Sequence, residues 1–260
     1  MISNIQDSTE FLPFAPDSAI RRVHREGVLL LGGGRALLLQ IAHPAVAQGV
    51  AEHSSYATQR WRRLLRTLRP MYAIAFGNAR QTREAAAGVN RMHEAVRGSG
   101  YNALDPSLLL WVLATLIDTA LDMHARFLRP LSAEEAEAYY ADMRRVGELL
   151  RLPPDRLPED LAAFRTYFDA QRAELRVSDE ARSIAGDLLR STPLNVAFIA
   201  PLRFITAATL PPRIRKQYGL GWGPRREASL RRLEAASRAI VPRLPILLRG
   251  TPGFFLPPRR

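Results

Sequence analysis

The sequence predicts an all-α fold in a single helical domain. Apolar residues recur with helical spacing along most of the chain, no stretch alternates with period two for long enough to form a sheet, and several helix starts carry capping residues. With 260 residues, 47% of them hydrophobic and 24% charged, the chain can bury a substantial core, and no linker-like stretch divides it. The expected organisation is an N-terminal extension over 1–19, a helical domain over 20–241 and a Pro/Arg-rich tail over 242–260.

Taken in order, Ser18 caps a first helix running to about Glu26, and "RALLLQIA" makes a short apolar helix from Arg35 to Ala42 that Pro44 stops. The glycines Gly32, Gly33 and Gly34 before it lack the lysine and Ser/Thr of a phosphate loop and follow no strand. They permit a tight turn or close helix contact. Helical spacing then covers Arg60 to Phe76, bent or broken at Pro70, and Asn78 to Arg97. Ser107, after Asp105-Pro106, opens a run to Leu128 that is apolar on nearly every face and is therefore expected at the centre. Ser132 and Glu135 have capping-box spacing before the next helix, and Pro153, Pro154 and Pro158 impose a loop. Helices from Glu159 to Leu175 and from Asp179 to Leu189 follow, the second capped by Ser178. After Pro242 the tail is too interrupted for regular helix, and its apolar residues are expected to lie along the body.

The net charge of +12 is almost wholly arginine, since Lys216 is the only lysine. Arginine bias follows from coding composition as readily as from function. The arginines are spread from Arg21 to Arg260 without a nucleic-acid motif, so no nucleic-acid partner is expected. The absence of cysteine excludes disulfides, thiolate metal sites and thiolate-ligated haem. The first residues lack a basic region followed by an apolar one, which points to a cytoplasmic protein. The apolar stretch over 28–51 is interrupted by Arg35, His43 and the glycines, and that over 193–212 by Pro201 and Arg203. No transmembrane span is expected, which leaves peripheral contact of the second stretch with a bilayer open.

Five histidines limit the metal chemistry. "HEAVR" from His93 is one residue from the H-E-x-x-H of zinc proteases, and Arg97 cannot replace an imidazole. A di-iron bundle needs Glu-x-x-His twice, yet the residues three before His24, His43, His53, His93 and His124 are Arg21, Gln40, Val50, Asn90 and Leu121. Asp118 and Asp122, one helical turn apart, are placed to share a proton or a metal, although pairing with arginines is the simpler reading. A single-histidine cofactor remains. Val89, Ala86 and Ala85, beside Gly88, give His93 a flat approach, and Arg97 one turn later can reach a carboxylate on a ring edge. A lone helical histidine is also commonly a core residue, and spacing alone leaves both readings open.

"LLLGGGRALLLQIAHPAVAQGVAEHS", "RRLLRTL", "FGNA", "VNRMHEAVRG", "YNALDPSLLLWVLATLIDTAL", "PLSAEEAEAYY" and "LPPRIRKQYGLGW" occur in the order and approximate spacing of the MpaB-type oxygenases, a former domain of unknown function related to the latex clearing protein rubber oxygenases. The chain resembles that family from about Ile20 to about Pro252. The resemblance implies a globin-like helical core around one haem b, with its iron held by His93 as proximal ligand. Latex clearing proteins carry an arginine, two intervening residues, a lysine and a threonine upstream. The corresponding residues here are Arg63, Leu64, Leu65, Arg66 and Thr67. Arg66 stays protonated and cannot ligate iron as the lysine can, so that distal coordination does not carry over. Arg63 and Thr67 are distal candidates. His43, in the family's His-Pro block, is a second axial ligand, a distal hydrogen-bond donor to oxygen, or a residue that fixes the Pro44 break. His53 caps or bridges helices, and His124 is given no role. The implied reaction joins dioxygen to an apolar, prenyl-like small molecule in a pocket lined by the Leu108 to Leu121 stretch. A non-catalytic haem binder or sensor shares the same haem residues, and a basic membrane- or nucleic-acid-surface module is the reading from another class.

Overall fold

A computed structural model describes residues 14–53, 60–190 and 196–253, without the side chains of 60–67, 196 and 198. The described residues form thirteen α-helices and one two-stranded ladder, as the all-α reading expects. The helices are α1 Ala19–His24, α2 Gly33–Ile41, α3 Pro44–His53, α4 Arg60–Phe76, α5 Ala79–Ala95, α6 Pro106–Phe127, α7 Ala133–Leu149, α8 Leu161–Glu174, α9 Asp179–Leu188, α10 Val196–Thr209, α11 Pro212–Gln217, α12 Pro224–Ile240 and α13 Ile246–Arg249. The strands β1 Arg97–Gly98 and β2 Tyr101–Asn102 pair antiparallel between α5 and α6.

Helix α6 is the axis of the molecule. Its 22 residues are apolar on nearly all sides because α1, α2, α7, α8 and α12 surround it. Among the described residues it is the one unbroken helix long and apolar enough to cross a membrane, but it is mostly buried inside the protein. Its N-cap is Asp105, whose carboxylate accepts from Ser107 N–H at 2.8 Å, with Pro106 in the first turn; the start lies one residue before the expected Ser107. Trp111, 1% exposed, stacks on Phe168 at 5.6 Å and donates its indole N–H to Gln40 O at 3.3 Å. Truncating so large a core side chain costs about 3–5 kcal/mol.

The glycine run brings helices close, as one of its two readings expected. A methyl group on Gly34 would overlap Thr206 Oγ1 of α10, and one on Gly32 would meet Thr119 and Met123 of α6 at 2.5–2.7 Å. Both capping boxes form, Asn78 with Gln81 at the start of α5 and Ser132 with Glu135 at the start of α7.

Three expectations are corrected. Helix α4 runs through Pro70 without the break that was one of the two readings there. Helix α5 ends at Ala95, because the chain turns at Val96 into the hairpin, so Arg97 does not continue the helix. The apolar stretch over 193–212 contributes α10, in which Ile199, Ile205, Thr206, Ala207 and Ala208 are buried and which packs on α2. Finally, among the described residues of the tail, Ile246, Leu247 and Leu248 do not lie along the body but point outward at 50%, 91% and 71% exposure.

Candidate functional site

His93 lies in the last turn of α5, where a hairpin, the side of α3 and the start of α6 converge. The hairpin exists because Gly100, at φ 88°, supplies a left-handed turn that L side chains rarely adopt. It folds Tyr101 and Ala103 back over the imidazole. Together with Ala45, Val46, Gly49 and Val50 of α3, Val96, and Leu108, Leu109 and Val112 of α6, they enclose a cavity of about 140 Å³. Apart from His93 and the Tyr101 phenol, no side chain in that wall carries a polar atom.

This environment fixes the state of His93. Its Nδ1 is buried without a hydrogen-bond partner, and burial holds its pKa below the ordinary histidine value. Burial thus favours the neutral imidazole, whose lone pair is available for donation. The flat face expected at Val89, Ala86 and Ala85 is not the cavity wall, because Ala86 is buried in the core and Ala85 packs against it. Small residues do face His93, but they come from α3. Sequence spacing along one helix cannot show which neighbouring helix supplies the opposing wall.

Tyr101 was not singled out in the sequence and is the best-positioned polar group at the cavity. Its ring is held between two glycines: a Cβ on Gly49 would meet it at 3.1 Å, and one on Gly98 at 2.6 Å. Its hydroxyl donates to Glu52 Oε2 at 2.5 Å, a short charge-assisted bond. With its single hydrogen committed, the phenol oxygen accepts from His53 Nε2–H at 2.9 Å. Gln48 Nε2 donates to the other Glu52 oxygen at 3.0 Å. The Tyr101 bond, first, and that of Gln48 lower the Glu52 pKa, and the same Glu52 bond, with burial and its charge, pushes the Tyr101 phenol up to about 12. His53 thus ties α3 to the hairpin and not to another helix. The only advance signal was the Gly98-x-Gly100 pattern beside an aromatic residue.

His43 lies at the corner between α2 and α3, where the helices preceding and following it meet at 106°. Its carbonyl accepts from Ala47 N–H, and its Nδ1 is buried without a partner. Burial lowers its pKa, opposed by the charge of Asp105. It does not line the His93 cavity. Arg97 is exposed, and its guanidinium donates twice to Glu94 O, at 3.0 and 2.8 Å, at the end of α5. It does not line the cavity either. The side chains of Arg63, Arg66 and Thr67 lie outside the described residues.

The two aspartates of α6 are occupied by arginine, as the simpler reading held. Arg35, 5% exposed, reaches Asp118 Oδ2 at 2.6 Å and Asp122 Oδ2 at 3.6 Å, and donates to Thr209 O and Thr119 Oγ1. Arg126 binds Asp122 at 2.9 Å and Glu234 at 2.8 Å. Burial raises the Asp118 pKa even against Arg35, its largest opposing influence. His124, given no role, donates Nδ1–H to Arg129 O at 2.7 Å. No group of three or more His, Asp or Glu side chains among the described residues is arranged to hold a metal ion.

Over residues 20–239 the chain matches the family described as ER-bound oxygenase mpaB/B'/Rubber oxygenase, catalytic domain. An uncharacterised protein of Mycobacterium bovis and one of Mycobacterium tuberculosis are each 30% identical to it over 212 residues, which cover 76% of this chain and 82% of the relative. No solved structure matches.

Proposed function

Because the chain belongs to the oxygenase family of mpaB and the rubber oxygenases, we propose that it is a haem b-dependent oxygenase acting with dioxygen on an apolar, prenyl-like small molecule. The observation that carries the reading is His93, a desolvated, neutral imidazole facing a cavity whose wall is otherwise almost wholly apolar. In donor chemistry His93 fits a haem ligand: burial keeps its lone pair from protonation, and no carboxylate competes for it. In size, the cavity of about 140 Å³ is below the ~300–1,000 Å³ usual for an organic ligand. The side chains at 60–67, on the α4 helix that packs along α5, lie outside the described residues.

When bound, haem supplies the iron at which dioxygen is activated. The chain's own residues do the rest. His93 would hold the iron, and Arg97, four residues beyond it, would pair with a propionate, leaving its present acceptor Glu94 O. Arg63 and Thr67 would be the groups that meet dioxygen, and Arg66 would contribute charge without ligation. His43 supports the α2–α3 corner. Val46, Val50, Leu108, Leu109 and Val112 exclude water and favour an apolar substrate. Tyr101 holds a proton at its oxygen, on the route from the cavity to the exposed Glu52 and His53.

Haemin titration of the purified protein and of His93→Ala, followed by absorbance, tests the reading. A saturable Soret band that requires His93 is expected. Absence of haemin uptake by the unmodified protein would overturn it.

A further inference from the structure

Isolated exposed apolar side chains are common on soluble proteins, but consecutive ones at a rigid projection are not. Leu247 and Leu248 are 91% and 71% exposed, with Ile246 at 50% and Ile240 at 56% beside them in the chain. The turn that carries them, α13, is firmly tied on its C-terminal side. Gly250 bridges Glu26, Thr251 N–H donates to Arg25 O at 2.7 Å, and Arg249 Nη1 lies 2.9 Å from the buried Glu26 carboxylate. The leucines are therefore presented outward by an anchored segment.

The surrounding charge is predominantly positive, although Glu227 of α12 lies 3.8 Å from Arg231. Residues 228–253 contain five arginines, Arg231, Arg232, Arg238, Arg243 and Arg249, and a single carboxylate, Glu234. That carboxylate is buried against Arg126 and contributes no exposed negative charge. Among the described residues, Arg232, Arg238 and Arg243 have no carboxylate partner. Helix α12 is exposed along most of its length and presents Leu233 and Ile240, seven residues apart and so on one face, among these arginines.

We propose that this C-terminal surface docks on an anionic lipid bilayer, with Leu247 and Leu248 entering the acyl boundary and the arginines of α12 and Arg243 meeting headgroup phosphates. Apolar insertion combined with basic flanks is the chemistry by which peripheral proteins hold an anionic membrane. A second copy of the chain is disfavoured as occupant, because it would set like charges against one another. Docking here would place the protein where apolar molecules partition. It requires neither cofactor nor turnover.

The test is co-sedimentation of the full-length protein with vesicles of phosphatidylcholine alone or with phosphatidylglycerol added, compared with Leu247→Ser/Leu248→Ser. Both leucines are exposed, so the variant should keep the parent's circular dichroism and melting temperature. Binding to the anionic vesicles alone, weakened by salt and reduced about tenfold or more in the double variant, is expected. Three results would overturn the proposal: no binding to anionic vesicles, equal binding to neutral ones, or undiminished binding by the variant. A dimer on size exclusion that the double substitution converts to monomer would likewise overturn it, in favour of a second copy.

Discussion

Arg35→Leu should be among the most damaging single substitutions away from the His93 cavity. Arg35 is 5% exposed and ties α2 to α6 through Asp118 at 2.6 Å and to α10 through Thr209 O at 2.9 Å. Its loss leaves Asp118 without its guanidinium, while Asp122 keeps Arg126 at 2.9 Å. Removing one partner of a fully buried pair costs about 3–5 kcal/mol, and with the Asp118 side chain 27% exposed the loss should be about 2–3 kcal/mol. At roughly 2–4 °C per kcal/mol for a chain of this size, the melting temperature should fall by about 4–12 °C. The pH dependence has a definite sign. The pKa of Asp118 is already raised in the folded protein and rises further without Arg35, so the folded state holds a proton that the unfolded state releases. Stability is therefore greater below the unfolded carboxylate pKa and falls as pH rises through the raised folded value, and the variant's deficit should narrow from pH 7 to pH 5. Arg35→Met/Asp118→Asn should recover part of the loss. Calorimetry checks both points, and a deficit below about 1 kcal/mol at pH 7, or one that widens on acidification, would refute the reasoning.

Three further outcomes are expected. Gly34→Ala should destabilise by about 1–3 kcal/mol because its methyl overlaps Thr206, whereas Gly33→Ala, with nothing within 4 Å of the added Cβ, should be neutral or stabilising; equal melting temperatures would discount the helix contact. His24, hydrogen-bonded to Tyr139 OH at 3.0 Å, has its pKa lowered by burial from 6.5 to about 4. The unfolded state takes up the proton first, so up to about 3 kcal/mol of stability should be lost as pH falls from 6.5 to 4, and His24→Phe should flatten that slope in denaturant titrations. Arg97→Leu should weaken haemin affinity about tenfold to a hundredfold without changing the axial ligand, as expected for a charge-assisted bond of ~1.5–3 kcal/mol; unchanged affinity would reject the propionate pairing.

The helical class was legible because burial on all sides demands apolar residues on all sides, as in α6, and because Ser132, Glu135 and Ser178 cap their helices by local bonds that depend on sequence spacing alone. The hairpin that ends α5 was hidden, since two-residue strands show no alternation and Gly100 alone marks the turn. That omission placed Arg97 on the helix and left Tyr101 unnoticed. The tail was misjudged for a different reason. Hydrophobicity predicts burial only where a partner surface is available, and the bonds that tie Gly250 and Thr251 to Glu26 and Arg25 turn Leu247 and Leu248 outward. His43 shows a similar limit: a His-Pro pair reads equally as ligand or corner, and the 106° bend between α2 and α3 is not visible in the spacing.

The most direct test of the central claim is the absorption spectrum of the haemin-loaded protein before and after dithionite, compared with His93→Ala and His43→Ala. His43 is not in the wall of the cavity that His93 faces, so the ferric protein should be high-spin and should bind imidazole, cyanide or, once reduced, carbon monoxide. His93→Ala should abolish haem retention, and His43→Ala should leave the spin state unchanged. A protein that takes up no haemin, one that retains it equally without His93, or a low-spin ferric spectrum lost on replacing His43 would contradict the account.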